Sequence, residues 1–110
     1  MLLKEIIDII PGERAGGWSD DTQVSGVYTS DLLSDVMAHA KDGQALVTIQ
    51  AHKNTVAVAT LVGLPLIVIC NNRELPQDMV ESAAQEGVAI LRTSLNQYEV
   101  SGRLWEAFRR

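Results

Sequence analysis

At 110 residues the chain is long enough for one domain with its own core, and 46% hydrophobic with 21% charged residues is an ordinary globular composition. Fourteen acidic residues against nine basic ones leave a net charge of −5, which argues against a general nucleic-acid or anionic-membrane surface. A single cysteine excludes an intrachain disulfide and any cysteine-cluster metal site.

In chain order, residues 2–10 place Leu3, Ile6, Ile7 and Ile10 at helical spacing, and Pro11-Gly12 stops the helix. This opening is too short and too charged for a signal peptide or membrane span, so a cytoplasmic protein is expected. Residues 12–23 form a polar, glycine-rich connector with a short edge strand expected at Arg14–Trp18 and Trp18 over the core. Val24–Tyr28 alternates as a strand, with Gly26 marking a bulge or a close backbone approach. Ser30 then caps a helix that Gly43 ends; Leu32, Leu33, Val36, Met37 and Ala40 form its inner stripe, and Asp35, His39 and Asp42 face away.

Three glycines precede three apolar runs: Gly43 before ALVTIQ, Gly63 before LPLIVIC and Gly87 before VAILRT. Short apolar runs of this kind read as strands buried on both faces. Residues 53–63 alternate like a strand, yet a parallel crossover needs about ten residues, so a buried helix capped by Asn54 or Thr55 is expected. A second helix begins at Pro76, buries Met79, Val80, Ala83 and Ala84, and ends at Gly87. In the last segment Ser94 and Gln97 have capping-box spacing, Val100, Leu104 and Phe108 share a face, and Gly102 suggests close packing. Trp105 and Phe108 are expected in the core. The expected fold is a three-layer α/β/α sandwich with a mainly parallel sheet of about four to five strands in a single domain.

No phosphate loop, dinucleotide fingerprint, nucleophile elbow or zinc-protease motif occurs, and His39 with His52 alone makes no metal site. Cys70 lies in an apolar strand, where a buried thiol is the default. Asp31 and Asp35 stand four residues apart, a spacing that fits either a pKa-shifted pair or two solvated helix carboxylates. The polar residues that follow the strands are the candidate site: Ser30 and Asp31, then His52, Lys53 and Asn54, then Asn71, Asn72 and Arg73. In parallel sheets these carboxyl-end loops gather on one edge. Lys53 and Arg73, set beside amide and hydroxyl groups, suit a phosphate or carboxylate. Ser30 and Asp31 serve either as helix caps or as ligand contacts at a helix start.

Over about its whole length the chain resembles small stand-alone DRTGG-domain proteins, through Tyr28–Ala38, Val47–His52, Asn54–Ala59, Gly87–Thr93 and Gly102–Leu104. The eponymous motif is altered: His52-Lys53 stands in its first half and Cys70-Asn71-Asn72 in its second. The resemblance implies an α/β/α domain related to the N-terminal domain of HPr kinase/phosphorylase, without the separate P-loop domain that carries kinase activity. Related domains are accessory or regulatory parts of phosphotransacetylases and CBS-containing pyrophosphatases and contribute to subunit contacts. Some small members are encoded near iron-only hydrogenases.

Three classes of function follow. The first is a non-catalytic, cofactor-free regulatory module that forms a homodimer and binds a small anionic metabolite, such as a nucleotide, at the strand tips. The second is an accessory subunit that docks on a metabolic or redox enzyme through an apolar patch. The third, a small enzyme, needs Asp31, Asp35 or His52 as acid or base.

Overall fold

The three apolar runs become the centre of the sheet. In the computed structural model, which describes residues 1–110, α1 (Leu3–Ile9) and the outer strand β1 (Glu13–Gly16) come first. Then β2 (Gly26–Thr29), α2 (Leu33–His39), β3 (Gln44–Thr48), α3 (Lys53–Val62), β4 (Leu66–Ile69), α4 (Gln77–Glu86) and β5 (Ala89–Arg92) alternate, and α5 (Gln97–Phe108) closes the chain. The five strands lie in the order β1-β5-β4-β3-β2, parallel throughout except for β1, which runs antiparallel to β5.

The topology places the helices. From β2 to β5 the strand order moves steadily one way, and crossovers keep a constant hand, so α2, α3 and α4 all fall on one face. The opposite face is left for the first and last helices. The two-residue period of a strand then divides the core. Ala45, Val47, Leu66, Val68, Ala89 and Leu91 pack with Leu3 and Ile6 of α1 and Val100 and Leu104 of α5. Leu46, Ile67, Ile69 and Ile90 pack with Val36, Val56, Ala59, Met79 and Ala83 from the other three helices. This is the expected three-layer sandwich.

Residues 53–63 are a helix despite their β-branched pattern, because Thr55, Val56, Val58 and Ala59 are buried in a crossover between parallel strands. Gly63 and Gly87 end α3 and α4 at φ +90° and +71°, the left-handed conformation that glycine permits at low cost. The expected short edge strand is present, but at Glu13–Gly16 rather than Arg14–Trp18, and Trp18 lies partly buried over the core.

Several boundaries differ. α2 has only seven residues; it starts after Leu32 and stops at Ala40, so Gly43 introduces β3 rather than ending the helix. Of its expected stripe Val36 is buried and Leu33 and Ala40 are half-buried, while Leu32, which precedes the helix, and Met37 are exposed. On α4 Met79 and Ala83 are buried but Ala84 is exposed, and Pro76 is the cap rather than the first helical residue. α3 is capped at His52 without a side-chain bond; the Thr55 hydroxyl instead donates to the Gln50 carbonyl at 2.8 Å. α5 begins two residues later than the Ser94–Gln97 spacing implies, through a capping box of Asn96 and Glu99.

Gly26 shows neither a bulge nor a tight approach: its register with Gln44 is regular, and an added Cβ would meet only ordinary contacts with that side chain. Gly102 is exposed, and an added Cβ there would meet nothing within 4 Å, so the close packing expected of it is absent. Gly102→Ala therefore raises stability by about 0.4–1 kcal/mol through the unfolded chain's entropy and helix propensity. The midpoint of chemical denaturation checks this.

Candidate functional site

The four parallel strands deliver their carboxyl ends to one edge of the sheet, and Asp31 ties that edge together. Its Oδ1 accepts from the Thr48 hydroxyl, the Ile49 N–H and Gln97 Nε2, each at 2.9 Å. Its own carbonyl accepts from Gln50 Nε2 at 2.9 Å. Asp31, two residues beyond β2, thus holds the end of β3 and the start of α5. Donors converging on a carboxylate are individually stronger than neutral pairs.

Asp31 precedes α2 and does not pair with Asp35, so the expected choice between a coupled pair and two helix carboxylates does not arise. Asp35 belongs to a different cluster. Tyr28 OH donates to its Oδ2 at 2.8 Å, and its Oδ1 lies 3.1 Å from His39 Nδ1. The tyrosine hydrogen bond, with smaller help from Ser30 and His39, holds the Asp35 carboxyl below the usual aspartate range. The same bond, followed by burial and the carboxylate's charge, pushes the Tyr28 hydroxyl above its ordinary value. A lowered carboxylate pKa stabilises the fold above the unfolded pKa, and that contribution is lost as pH falls through the folded one. A carboxyl-carbon NMR titration accordingly finds Asp35 titrating below a typical aspartate, and Tyr28→Phe moves it back toward that value.

Ser30 is not the helix cap; its Oγ accepts from the Leu32 N–H at 3.2 Å in a turn before α2. At the end of β3, His52, Lys53 and Asn54 are exposed and open α3. The N–H groups of Lys53 and Asn54 have no acceptor within the chain. Lys53 also lines a cleft of about 190 Å³ with Asp78, Glu81, Ser82 and Gln85 of α4.

Beyond β4, Asn71 and Asn72 both adopt left-handed backbone, at φ 62° and 53°. Asparagine accepts this conformation better than other residues with a Cβ. Their N–H groups donate to the carbonyls of Leu95 and Thr93 at 3.0 and 2.8 Å, which pins the turn to the end of β5. Arg92 secures it from beneath, donating to the carbonyls of Asn72 and Arg73 at 2.8 and 2.7 Å and to Glu13 Oε1 at 3.1 Å. The side chains of Asn71, Asn72 and Arg73 remain at the surface. Nearby Cys70 is buried, and that burial, with the negative charge of Asp31, pushes its thiol up to about 11.

The residues missing from the sequence reading are those that build the edge: Thr48, Gln50, Arg92 and Gln97. Thr48 did carry a signal, since a hydroxyl at the end of a buried apolar run needs a partner. Arg92 and Gln97 gave none, because their bonds reach residues about twenty and more than sixty positions away.

The chain also presents a groove of about 370 Å³ between β2 and α5, with Val27, Thr29, Ser101, Leu104, Trp105 and Phe108 in its walls. Trp105 is 67% exposed rather than part of the core, and Phe108 is only partly covered. The Arg109 guanidinium lies 5.7 Å from the Trp105 ring centroid, and Arg103 donates to the Ile9 carbonyl at 3.1 Å. No three His, Cys, Asp or Glu side chains are grouped to hold a metal ion, and no helix is long and apolar enough to cross a membrane.

No protein-family model matches the sequence, and no curated protein matches it. Among solved structures the chain is similar to the CBS and DRTGG domains of the regulatory region of Clostridium perfringens pyrophosphatase, complexed with the activator diadenosine tetraphosphate. The TM-score is 0.73 at 11% identity, over 94% of this chain and 45% of that one. The likeness is one of fold, and it supports a DRTGG-like fold.

Proposed function

We propose that the chain is a non-catalytic regulatory module that self-associates and binds a small anionic metabolite, of which nucleotides are the leading class, at the carboxyl ends of the strands. The observation that carries this reading is the first turn of α3. Its Lys53 and Asn54 N–H groups are free and exposed, no side chain caps it, and His52 and Lys53 stand beside it. Such a turn carries roughly half a positive charge, which favours an anion. Asn71, Asn72 and Arg73, on the rigid turn after β4, are the facing contacts proposed on the neighbouring strand tip. Ser30 stands behind them with Asp31, whose role is to hold the edge in shape.

The likeness to a regulatory region solved with a dinucleotide activator supports both the regulatory role and the nucleotide class. With no phosphate loop in the sequence, kinase activity is not part of this proposal. The thermal-shift panel to run contains diadenosine tetraphosphate, adenine and guanine nucleotides, nucleotide sugars and phosphorylated metabolites. A true ligand at about 100 times its dissociation constant adds roughly 2.7 kcal/mol of stability. Lys53→Ala with Arg73→Ala abolishes binding while changing the unliganded stability by less than about 1 kcal/mol. Unchanged affinity in that double variant would sink the proposed site.

A second reading, an accessory subunit that docks on a metabolic or redox enzyme and has no ligand of its own, draws on the exposed Trp105 and the apolar groove beside it. A flat ligand panel together with one stoichiometric enzyme partner would favour it.

A further inference from the structure

The two outer edges of the sheet are finished in opposite ways. β1 carries Glu13 and Arg14, with Glu13 bonded to Arg92 at 3.1 Å and Arg14 lying 3.8 Å from Asp20. Charge along an edge discourages the addition of another strand. β2 has none of these guards. Gly26-Val27-Tyr28-Thr29 holds no charge and no proline, and it runs in unbroken register against β3, with no bulge to turn it away. β3 is its only neighbour, so one side of its backbone has no partner.

The groove lies directly beside this open edge. In a chain of net charge −5, none of its lining residues is charged. Within it Thr29 Oγ1 and Ser101 Oγ lie 2.7 Å apart, satisfying each other and leaving the surface largely apolar. The charge that lies against the Trp105 ring is the Arg109 guanidinium, 5.7 Å from its centroid.

We infer that β2 is a dimerisation strand, and that its occupant is a second copy of this chain. Two β2 strands pair antiparallel about a twofold axis normal to the sheet and join the two sheets into one. An isologous contact of this kind matches the same patch to itself, strand to strand and helix face to helix face. The helix geometry agrees. α5 packs over β2 and β3. With strands about 4.8 Å apart, a twofold at the β2 edge brings both α5 helices onto the same face near the 8–10 Å separation of packed helices. Trp105 and Phe108 of each copy then close over the groove between them. An unrelated extended peptide would fill the strand position but bring no helix to cover Trp105. This assignment rests on the self-association proposed above and names its surface; it is independent of the metabolite site.

The test is light scattering on the full chain from low to high micromolar concentration, combined with amide hydrogen exchange. The wild type is expected at twice the mass of one chain, with β2 amides protected in a concentration-dependent manner. Trp105→Glu, at an exposed position, is expected to give one chain mass and unprotected β2 amides while circular dichroism and melting stay close to wild type. Leu61→Glu, on the exposed side of α3 at 72% exposure, is expected to remain dimeric. A wild type that is monomeric throughout overturns both the interface and self-association. A dimer that survives Trp105→Glu, or one broken by Leu61→Glu, overturns the interface alone. Protection of β2 that appears only when an extended peptide is added to a monomer also overturns it.

Discussion

Asp31→Ala lowers the stability of the domain by roughly 2–4 kcal/mol, the largest effect expected of any polar residue at the strand-tip edge. Three donors lose their acceptor together: the Thr48 hydroxyl, the Ile49 N–H and the Gln97 amide. Net hydrogen bonds to a charged group contribute about 1.5–3 kcal/mol, and a partly buried N–H left without a partner adds a desolvation cost. The side-chain site is partly open to water, which keeps the total well below the sum of three such bonds. In a domain of this size the melting point falls on the order of 10–20 °C. Gln97→Ala, which removes only one of the three bonds, costs about 1 kcal/mol. A calorimetric comparison of the two variants checks the ratio. Equal, small losses would show that Asp31 does not hold the edge together.

Gly16→Ala produces the second large loss, about 2–4 kcal/mol. Gly16 sits at φ +67°, and a Cβ there would stand 2.7 Å from the Val88 carbonyl oxygen and 2.8 Å from the Ala83 Cβ. The strand that carries it is the one antiparallel member of the sheet and covers the edge of β5. Neither neighbour can rotate away, because one is backbone and the other a methyl on α4. Gly87→Ala is the matched control: its φ is +71°, but an added Cβ would meet nothing within 4 Å. It loses only about 1 kcal/mol from the left-handed conformation. Denaturation midpoints at an unchanged slope separate the two contributions. Indistinguishable losses would mean that β1 shifts to make room.

Much of the architecture was legible because it depends on local signals. Ala45–Val47, Leu66–Ile69 and Ala89–Leu91 are apolar runs too short for helices, and Gly63 and Gly87 mark the ends of the helices between them. Met79 and Ala83 follow the helical period. Serine usually caps a helix, yet the chain keeps an extended turn at Ser30 so that Asp31 can reach Thr48 and Ile49. A tertiary bond overrode a propensity worth about 1 kcal/mol.

The candidate site divides in the same way. Its polar residues could be found from their places after the strands, since strand ends in a parallel sheet face one edge. How those residues are used could not, because hydrogen bonds across the fold decide it. Asp31 has its carboxylate engaged by three donors, and Asn71 and Asn72 serve as a left-handed turn held through their backbone.

By itself the sequence determined the α/β class, the buried strands and the acidic, single-cysteine character of the chain. Each follows from periodicity, glycine placement or composition. Residues 53–63 carried a strand-like alternation that only their place between parallel strands resolved as a helix. Only the tertiary structure decided that β2 is an outer strand, that α1 and α5 share a face, and that Trp105 stands exposed beside an unguarded edge. Those facts depend on strand order and crossover hand, and both arise from contacts between residues far apart in the chain.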